Sequence, residues 1–169
     1  MIIRPASEAD LPGILVIYND VVRTSSAVYT EEEASLENRL KWYADRRALG
    51  YPVLVATDPS GAVAGFSSFG DFRPWPGYRL TVEHSVCVGA DCRGQGLGGA
   101  LITPLFDEAL RLGKHVMIAG IDAANPASLR LHERLGFKHA GTLREVGTKF
   151  GRWLDLAFMQ RILSDRPPA

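Results

Sequence analysis

The residues with the clearest chemical potential form a glycine-rich turn in the middle of the chain. Gly94, Gly96, Gly98 and Gly99 fall within six residues at the start of an apolar helical pattern. The N-terminus of a helix has unpaired backbone N–H groups and about half a positive charge. Glycines allow a ligand to approach that backbone closely. The spacing therefore predicts an anion-binding turn for a phosphate or pyrophosphate.

Two common phosphate-binding turns fit this pattern poorly. A P-loop has Lys and then Ser or Thr after its last glycine, whereas Ala100 and a leucine follow here. The dinucleotide pattern GxGxxG does match residues 94–99, and Asp122 lies downstream where an acidic residue would bind a ribose hydroxyl. However, residues 89–93 separate the preceding strand from the first glycine, and too few strand–helix units follow. A tight turn with no ligand is the remaining alternative.

A third pattern, RxxGxG, fits the turn best. Arg93, Gly96 and Gly98 follow a valine-rich strand, and this arrangement resembles the acyl-CoA pyrophosphate loop of the GCN5-related N-acetyltransferases (GNAT). The second signature of that family is an Asn, a short helix and a Leu-Gly-Phe end, which this chain has from Asn125 to Phe137. The resemblance covers nearly the whole chain.

Within the family, the chain most resembles the phosphinothricin, methionine sulfone and methionine sulfoximine acetyltransferases. The resemblance rests on residues 81–86, on Phe72-Arg73 and on residues 149–155. It implies an enzyme that moves an acetyl group from acetyl-CoA to the amine of a small amino-acid-like substrate, without a metal. Family habit also suggests a homodimer.

The resemblance assigns the cofactor to two parts of the chain. The turn would hold the pyrophosphate, and the edge of the preceding strand would pair with the pantetheine arm and polarise the thioester carbonyl. The implied cofactor-binding residues are Val86, Cys87, Val88, Arg93, Gly94, Gln95, Gly96, Leu97, Gly98, Gly99, Asn125 and Ser128.

Glu83 is the candidate general base that removes a proton from the amine before attack. Strand alternation places its side chain on the same face as Ser85 and Cys87. A carboxylate in a mainly apolar strand is seldom buried without a task. An ion pair with Arg73 or Arg79 is the alternative.

Three further side chains have competing interpretations. His132 stands where many family members have a tyrosine that donates a proton to the leaving thiolate, so it is the candidate general acid or else a packed helix residue. His84 alternates to the face opposite Glu83 and is either a core or a substrate-shaping residue. Cys87 would allow an acyl-cysteine route, although a small buried thiol is more common.

The substrate site is predicted from a loop upstream of the catalytic strand. An arginine suits bidentate capture of a carboxylate, and Arg73 lies between two aromatic residues. An ordinary solvated loop is the alternative for this segment. The predicted substrate-binding residues are Tyr29, Arg73, Pro74, Trp75, Glu83, His84 and Ser85.

Composition limits the other function classes. The 169 residues have zero formal net charge and 46% hydrophobic content, which argues against a nucleic-acid or membrane-surface binder. Two cysteines, five positions apart, indicate neither a zinc site nor a disulfide framework, so a cytoplasmic protein is expected. No signal peptide or membrane span is visible. Acetylation of a protein N-terminus or lysine, and acyl-CoA binding without turnover, stay open as alternatives.

The elements that must position these residues follow the order β α α β β β α β α β β. Residues 30–33 (TEEE) fit a capping box at the start of the second helix, and the unit from Thr81 to Ile121 must pair its strands in parallel. The expected fold is a single-domain GNAT-like α/β fold, with a mixed, mostly antiparallel sheet splayed at the acyl-CoA strand and helices on both faces. The domain would span residues 1–164, followed by a flexible tail, 165–169.

Overall fold

A seven-stranded sheet forms the centre of the protein, whose computed structural model describes residues 1–167. Pro168 and Ala169, the last residues of the predicted tail, lie outside the described residues. The strands are β1 (Ile2–Pro5), β2 (Val53–Thr57), β3 (Val63–Asp71), β4 (Thr81–Val88), β5 (Val116–Asp122), β6 (Lys138–Lys149) and β7 (Arg152–Ile162). The helices are α1 (Leu11–Thr24), α2 (Leu36–Ala48), α3 (Leu97–Arg111) and α4 (Pro126–Arg134). This order confirms the sequence prediction.

The sheet is mixed and mostly antiparallel, as predicted. Its strand order is β1-β2-β3-β4-β5-β7-β6, and β4 with β5 is its one parallel pair in the described part of the chain. That pair encloses α3, since a parallel connection needs a crossover of a dozen or more residues. The predicted strand–helix–strand unit is therefore present.

The two parallel strands separate soon after they begin. Their register contains three pairs, of which Glu83 with Ile118 is the last. β4 continues to Val88 and stays paired with β3 throughout, while β5 continues to Asp122 and stays paired with β7. The predicted splay of the sheet is thus confirmed, and it opens directly after Glu83.

Helices cover both faces of the sheet. On one face, apolar residues of α1 and α2 pack on β2, β3 and β4, with Ile14, Tyr43 and Phe66 in one buried cluster. On the other face, α3 packs through Ile102 and Leu105 against a larger cluster of the same sheet. Full burial of such side chains contributes about 1.5–3 kcal/mol each. These two layers fix β4 from both sides and so fix the position of its side chains.

The predicted capping box at residues 30–33 is wrong. Helix α2 begins at Leu36, and the Ser35 hydroxyl caps it by accepting a hydrogen bond from the Asn38 N–H at 3.1 Å. Thr30 instead accepts a bond from the Glu32 N–H, and Glu33 forms an ion pair with Arg23 of α1. Contacts with α1 therefore hold this segment outside the helix.

No helix within residues 1–167 combines the length and apolar character that a membrane crossing needs.

Asp10 provides a test of stability at the start of α1. Its carboxylate accepts two hydrogen bonds of 2.8 Å from Arg4 and one of 2.7 Å from the Ser7 N–H. These bonds, led by the Arg4 guanidinium, lower the pKa of Asp10 to about 2. Because the folded-state pKa lies below the unfolded one, the stabilisation is present above about pH 4 and is lost as pH falls towards 2.

We expect Asp10→Asn to lower the free energy of unfolding by about 1–2 kcal/mol at pH 7. The difference from wild type should shrink as pH falls from 4 to 2, as measured by urea unfolding across that range. A constant difference at all pH values would contradict the charge-based explanation.

Candidate active site

The glycine-rich turn opens the N-terminus of α3. Gly94 and Gly96 have φ values of +74° and +81°, a region that L side chains avoid. Gly96 is the N-cap of α3, and the Ala100 N–H donates to the Gly96 carbonyl at 3.1 Å. The N–H groups of the residues before Ala100 have no partner one turn back in the helix. The turn therefore presents several backbone donors to an anion.

Arg93 connects this turn to its surroundings. Its Nε donates to the Val88 carbonyl at 3.1 Å, and its guanidinium forms an ion pair of 3.2 Å with Asp20 of α1. The side chain thus fixes the turn against β4 and α1, while the backbone remains available to a ligand.

A cavity of about 440 Å³ joins the turn to the open end of the sheet. Of the predicted cofactor residues, those that line it are Val86, Cys87, Val88, Arg93, Gly94, Gly96, Leu97, Gly98, Gly99, Asn125 and Ser128. Gln95 is not in the lining, because its side-chain amide donates to the Asp91 carbonyl at 3.0 Å. The predicted set is otherwise brought together in one place.

The lining also includes residues that the sequence analysis missed. These are Val21, Ser25, Ala27, Cys92, Ala127, Leu131 and Arg134. Leu131 and Arg134 follow Ser128 at helical spacing on α4, so periodicity was a usable signal for them. Val21, Ser25 and Ala27 come from the end of α1 and the segment after it, and no local pattern marks them.

Every second residue of β4 directs its backbone N–H and C=O groups towards the cavity. The Gly89 N–H donates to the Ala64 carbonyl on the β3 side, and successive residues of a strand direct their N–H and C=O groups to opposite sides. Cys87 therefore also faces β3, whereas Val86 and Val88 face the gap where β5 has diverged. The Val86 backbone and the Val88 N–H thus face this gap, whereas the Val88 carbonyl already accepts the bond from Arg93.

Glu83 lies where the gap begins. Its side chain is half-buried and alternates with the buried His84. Burial raises the pKa of the Glu83 carboxyl, and the nearby Arg73 charge partly opposes this. Among the ion pairs of residues 1–167, none includes Glu83. A carboxylate with a raised pKa and no fixed partner is suited to accept a proton.

A buried pair of histidines lies on the opposite face of β4. The Nε2 atoms of His84 and His132 are 3.0 Å apart, and Nδ1 of His132 lies 2.7 Å from the Ser128 carbonyl oxygen. A carbonyl only accepts, so Nδ1 of His132 carries the hydrogen. In the neutral pair, His84 donates through Nε2, and its buried Nδ1 has no partner in the described residues. Burial lowers the pKa of both rings.

Cys87 packs in the apolar cluster between β4 and the first two helices. Burial raises the pKa of its thiol to about 12. The residue is therefore protonated at neutral pH, and a thiol is a much weaker nucleophile than a thiolate.

The predicted substrate residues have different settings. His84 and Ser85 line a second cavity of about 110 Å³ that shares Val86 and Asn125 with the larger one. Arg73 is exposed, and its guanidinium lies over the Phe72 ring at 4.7 Å. Pro74 and Trp75 are exposed and line neither cavity.

The segment between α1 and α2 closes the other side of both cavities. Ala27 lines both, and the Tyr29 hydroxyl donates to the Asp155 carbonyl of β7 at 3.2 Å. Lys149 is fully buried, and its ammonium donates to the carbonyls of Ser25 and Val28 at 2.6 and 2.8 Å. No local sequence pattern predicts that the Lys149 ammonium holds this wall.

Comparison with known families agrees with the fold and the site. A family model described as an acetyltransferase (GNAT) domain matches residues 1–138. The chain therefore belongs to the GNAT acetyltransferases, as the two sequence signatures predicted.

Individual relatives share most of the chain. It is 53% identical over 158 residues to an L-methionine sulfoximine/L-methionine sulfone acetyltransferase of Pseudomonas aeruginosa, which covers 94% of this chain and 92% of the relative. It is 39% identical over 163 residues to a phosphinothricin N-acetyltransferase of Streptomyces coelicolor, with 95% of each chain covered. A solved acetyltransferase from Salmonella typhimurium, with its cofactor acetyl-CoA, has a TM-score of 0.97 and 49% identity over 100% of this chain and 97% of that one.

We expect Lys149→Met to loosen the wall formed by residues 25–29. The variant leaves two carbonyls without their charged donor, and hydrogen bonds to charged groups contribute about 1.5–3 kcal/mol each. Two such bonds amount to about 3 kcal/mol or more, so the melting temperature should fall by at least roughly 6 °C, given about 2–4 °C per kcal/mol for a chain of this size. Amide hydrogen exchange at residues 27–29 should become faster.

Lys41→Met is the matched control, because Lys41 pairs with Asp45 on the exposed face of α2. It should change neither measurement appreciably. Equal effects of the two substitutions would show that Lys149 has no special role in this wall.

Proposed function

We propose that the protein is an acetyl-CoA-dependent N-acetyltransferase that acts on the amine of a small amino-acid-like substrate, of the phosphinothricin, methionine sulfone or methionine sulfoximine type. The observation that carries the proposal is a single cavity that joins the anion-binding turn to the edge of β4 at residues 86–88. Glu83 lines neither cavity, but its carboxylate lies against Gly120, which lines the smaller one. The names of the relatives support both the reaction and the substrate class.

The cofactor fits the donor set of the cavity. The backbone N–H groups of residues 94–99 suit the pyrophosphate, and the helix dipole adds favourable charge. The backbone groups of Val86 and Val88 suit the amides of the pantetheine arm. An N–H of this edge would also stabilise the negative charge that develops on the thioester oxygen, a role that is typically worth several kcal/mol.

Glu83 is proposed to accept the proton that the substrate amine must lose. Roughly one lysine-like amine in a few thousand is neutral at pH 7, against about one α-amino group in ten. A positioned base removes this limit and contributes about 10²–10⁴-fold. The raised pKa of Glu83 makes its carboxylate a stronger base than an exposed one, which favours proton uptake from the amine.

His132 is proposed as the source of the proton for the leaving thiolate. Both of its ring nitrogens are occupied by His84 and the Ser128 carbonyl, and the neutral ring has no free N–H. Burial lowers the pKa of both rings, which favours the neutral pair. In this role the pair takes up one proton from solvent, and His132 then passes a proton to the sulfur, which returns the pair to its neutral state. This makes His132 and His84 one unit in the proposal.

The substrate carboxylate is proposed to bind Arg73. This side chain lies close enough to Glu83 to influence its pKa, so one end of an amino acid could meet Arg73 while its amine meets Glu83. Tyr29 lines neither cavity, but its bond to β7 anchors the segment that closes the opposite side. A cytoplasmic location and a homodimer remain predictions of the sequence analysis.

The assay that tests the function measures thiol release from acetyl-CoA. The amines supplied are free amino acids, methionine sulfone, methionine sulfoximine, phosphinothricin and peptides. The proposal predicts turnover with the sulfone, sulfoximine or phosphinothricin class and little with peptides. Turnover only with peptides would favour the protein acetyltransferase, and tight CoA binding without turnover would favour a binding module.

We expect Glu83→Gln to lower kcat by about 10²–10⁴-fold at pH 7, since the amide accepts no proton. The rate should recover as pH rises, because a larger share of the amine is then neutral. Glu37→Gln, on the exposed first turn of α2, should behave as wild type. A Glu83→Gln variant with the wild-type rate at pH 7 would rule out Glu83 as the base.

We expect Arg73→Ala to have two effects. Loss of a charge-assisted pair with the substrate should raise the KM for the amino acid by roughly 10–100-fold, with little change in acetyl-CoA affinity. Arg73 lowers the pKa of Glu83, so its removal should shift the acidic limb of the kcat–pH profile to higher pH. An equal loss of acetyl-CoA affinity would place Arg73 in the cofactor site instead.

A further inference from the structure

Gly120 stands at an unexpected position in β5. It pairs with Phe158 of β7 and lies two residues past the last β4–β5 pair. Its φ is not in the left-handed region, so its backbone would accept any L residue. A glycine inside a strand is less stable than alanine by roughly 0.5–1 kcal/mol, and a close approach by another group is a common reason for one.

The group that approaches is the carboxylate of Glu83. A Cβ atom at position 120 would lie 2.8 Å from Oε1 of Glu83, a separation that requires the carboxylate to move. The next neighbours, Leu156 Cδ1 and Phe158 Cε1, would be at 3.4 and 3.9 Å, which are ordinary contacts. The missing side chain of Gly120 therefore makes room for one functional group only.

On the other side of Glu83, the paired residue of β3 is also a glycine, but the position that its side chain would take is already filled. Gly70 is the cross-strand partner of Glu83 on β3, and the Arg46 guanidinium occupies the position that a Cβ of Gly70 would take. The Glu83 carboxylate would therefore contact the Arg46 guanidinium of α2 if it moved towards β3. The space over Gly120 is the one that the Glu83 carboxylate occupies, and Gly120 itself lines the smaller cavity.

We propose that Gly120 is a positioning residue for the reaction, whose missing side chain allows Glu83 to place its carboxylate over β5 at the start of the gap. This proposal rests on the proposed function, because it concerns the proposed base. A displacement of about 1 Å of a catalytic group can cost about 10²-fold in rate. A methyl group at position 120 should therefore impair proton removal without disturbing the fold.

The test is Gly120→Ala in the acetyl-transfer assay, with kcat, both KM values and thermal unfolding measured together. We expect kcat to fall by at least roughly 10-fold, with the KM for acetyl-CoA unchanged. The melting temperature should stay the same or rise, because alanine reduces the entropy of the unfolded chain. Lost activity should return at high pH, as for Glu83→Gln.

Gly141→Ala is the matched control. Gly141 also lies in a strand, without a left-handed φ, and a Cβ there would meet nothing within 4 Å. This variant should match Gly120→Ala in stability and match the wild type in kcat.

A second substitution shows whether Gly120→Ala lowers activity by displacing the base or by blocking the pocket. Glu83→Asp shortens the side chain by one methylene and withdraws it from position 120. In the Gly120→Ala background, Glu83→Asp should therefore cost less activity than it does in the wild type. Equal cost in both backgrounds would contradict the proposed contact.

The remaining outcomes keep this inference distinct from the proposed function. Wild-type kcat for Gly120→Ala, together with a large loss for Glu83→Gln, would overturn the role of Gly120 and leave Glu83 as the base. A rise only in the KM of the amine would show that the space serves the substrate, and would also overturn it. Wild-type kcat for Glu83→Gln would remove the base assignment itself.

Discussion

The separation of β4 from β5 is the constraint on which the site depends. A buried strand normally has its N–H and C=O groups paired on both sides, and an unpaired group away from water costs free energy. Here β4 loses one neighbour after Glu83 while both strands continue. The Val86 backbone and the Val88 N–H are left facing a cavity, where a ligand with amide groups can supply the missing bonds. The same gap makes room for the carboxylate of Glu83.

The glycine-rich turn depends on this arrangement because β4 runs directly into it. The unpaired strand edge and the unpaired N–H groups of α3 are consecutive in the chain, so an extended molecule with an anionic end can meet both. Arg93 fixes their relative position through Val88 and Asp20. The opposite wall is held from a distant part of the sequence by Lys149. One side of the site is therefore local in sequence, and the other depends on tertiary contacts.

The local side was predictable from sequence. The strand, the turn and the helix carry periodicity and glycine-spacing signals, which predicted the anion-binding turn. The cofactor residues that the family resemblance implied line one cavity with the exception of Gln95. Strand alternation also placed Glu83 and His84 on opposite faces. The start of α2 was mispredicted because TEEE satisfies a capping pattern, whereas contacts with Asn19 and Arg23 of α1 hold that segment outside the helix.

The opposite wall, which depends on tertiary contacts, was not predictable in the same way. No periodic pattern marks Lys149, and only the folded chain shows its ammonium buried against two carbonyls 121 and 124 positions away. The partnership of His84 with His132 and the approach of Glu83 to Gly120 join separate elements and leave no periodic signal. Such contacts depend on how β4, β5 and α4 pack together, and the spacing of residues in a single sequence does not reveal that packing.

If the turn and the open edge of β4 form one cofactor site, their backbone amides should respond together to CoA. A titration of the ¹⁵N-labelled protein with CoA, followed by amide chemical shifts, measures this response. The largest shifts should fall at Val86, Val88 and residues 94–99, and they should saturate together. A single site of this kind would be contradicted if those amides stayed unchanged while the largest shifts appeared at the separate cavity of about 350 Å³ around Lys114 and His115.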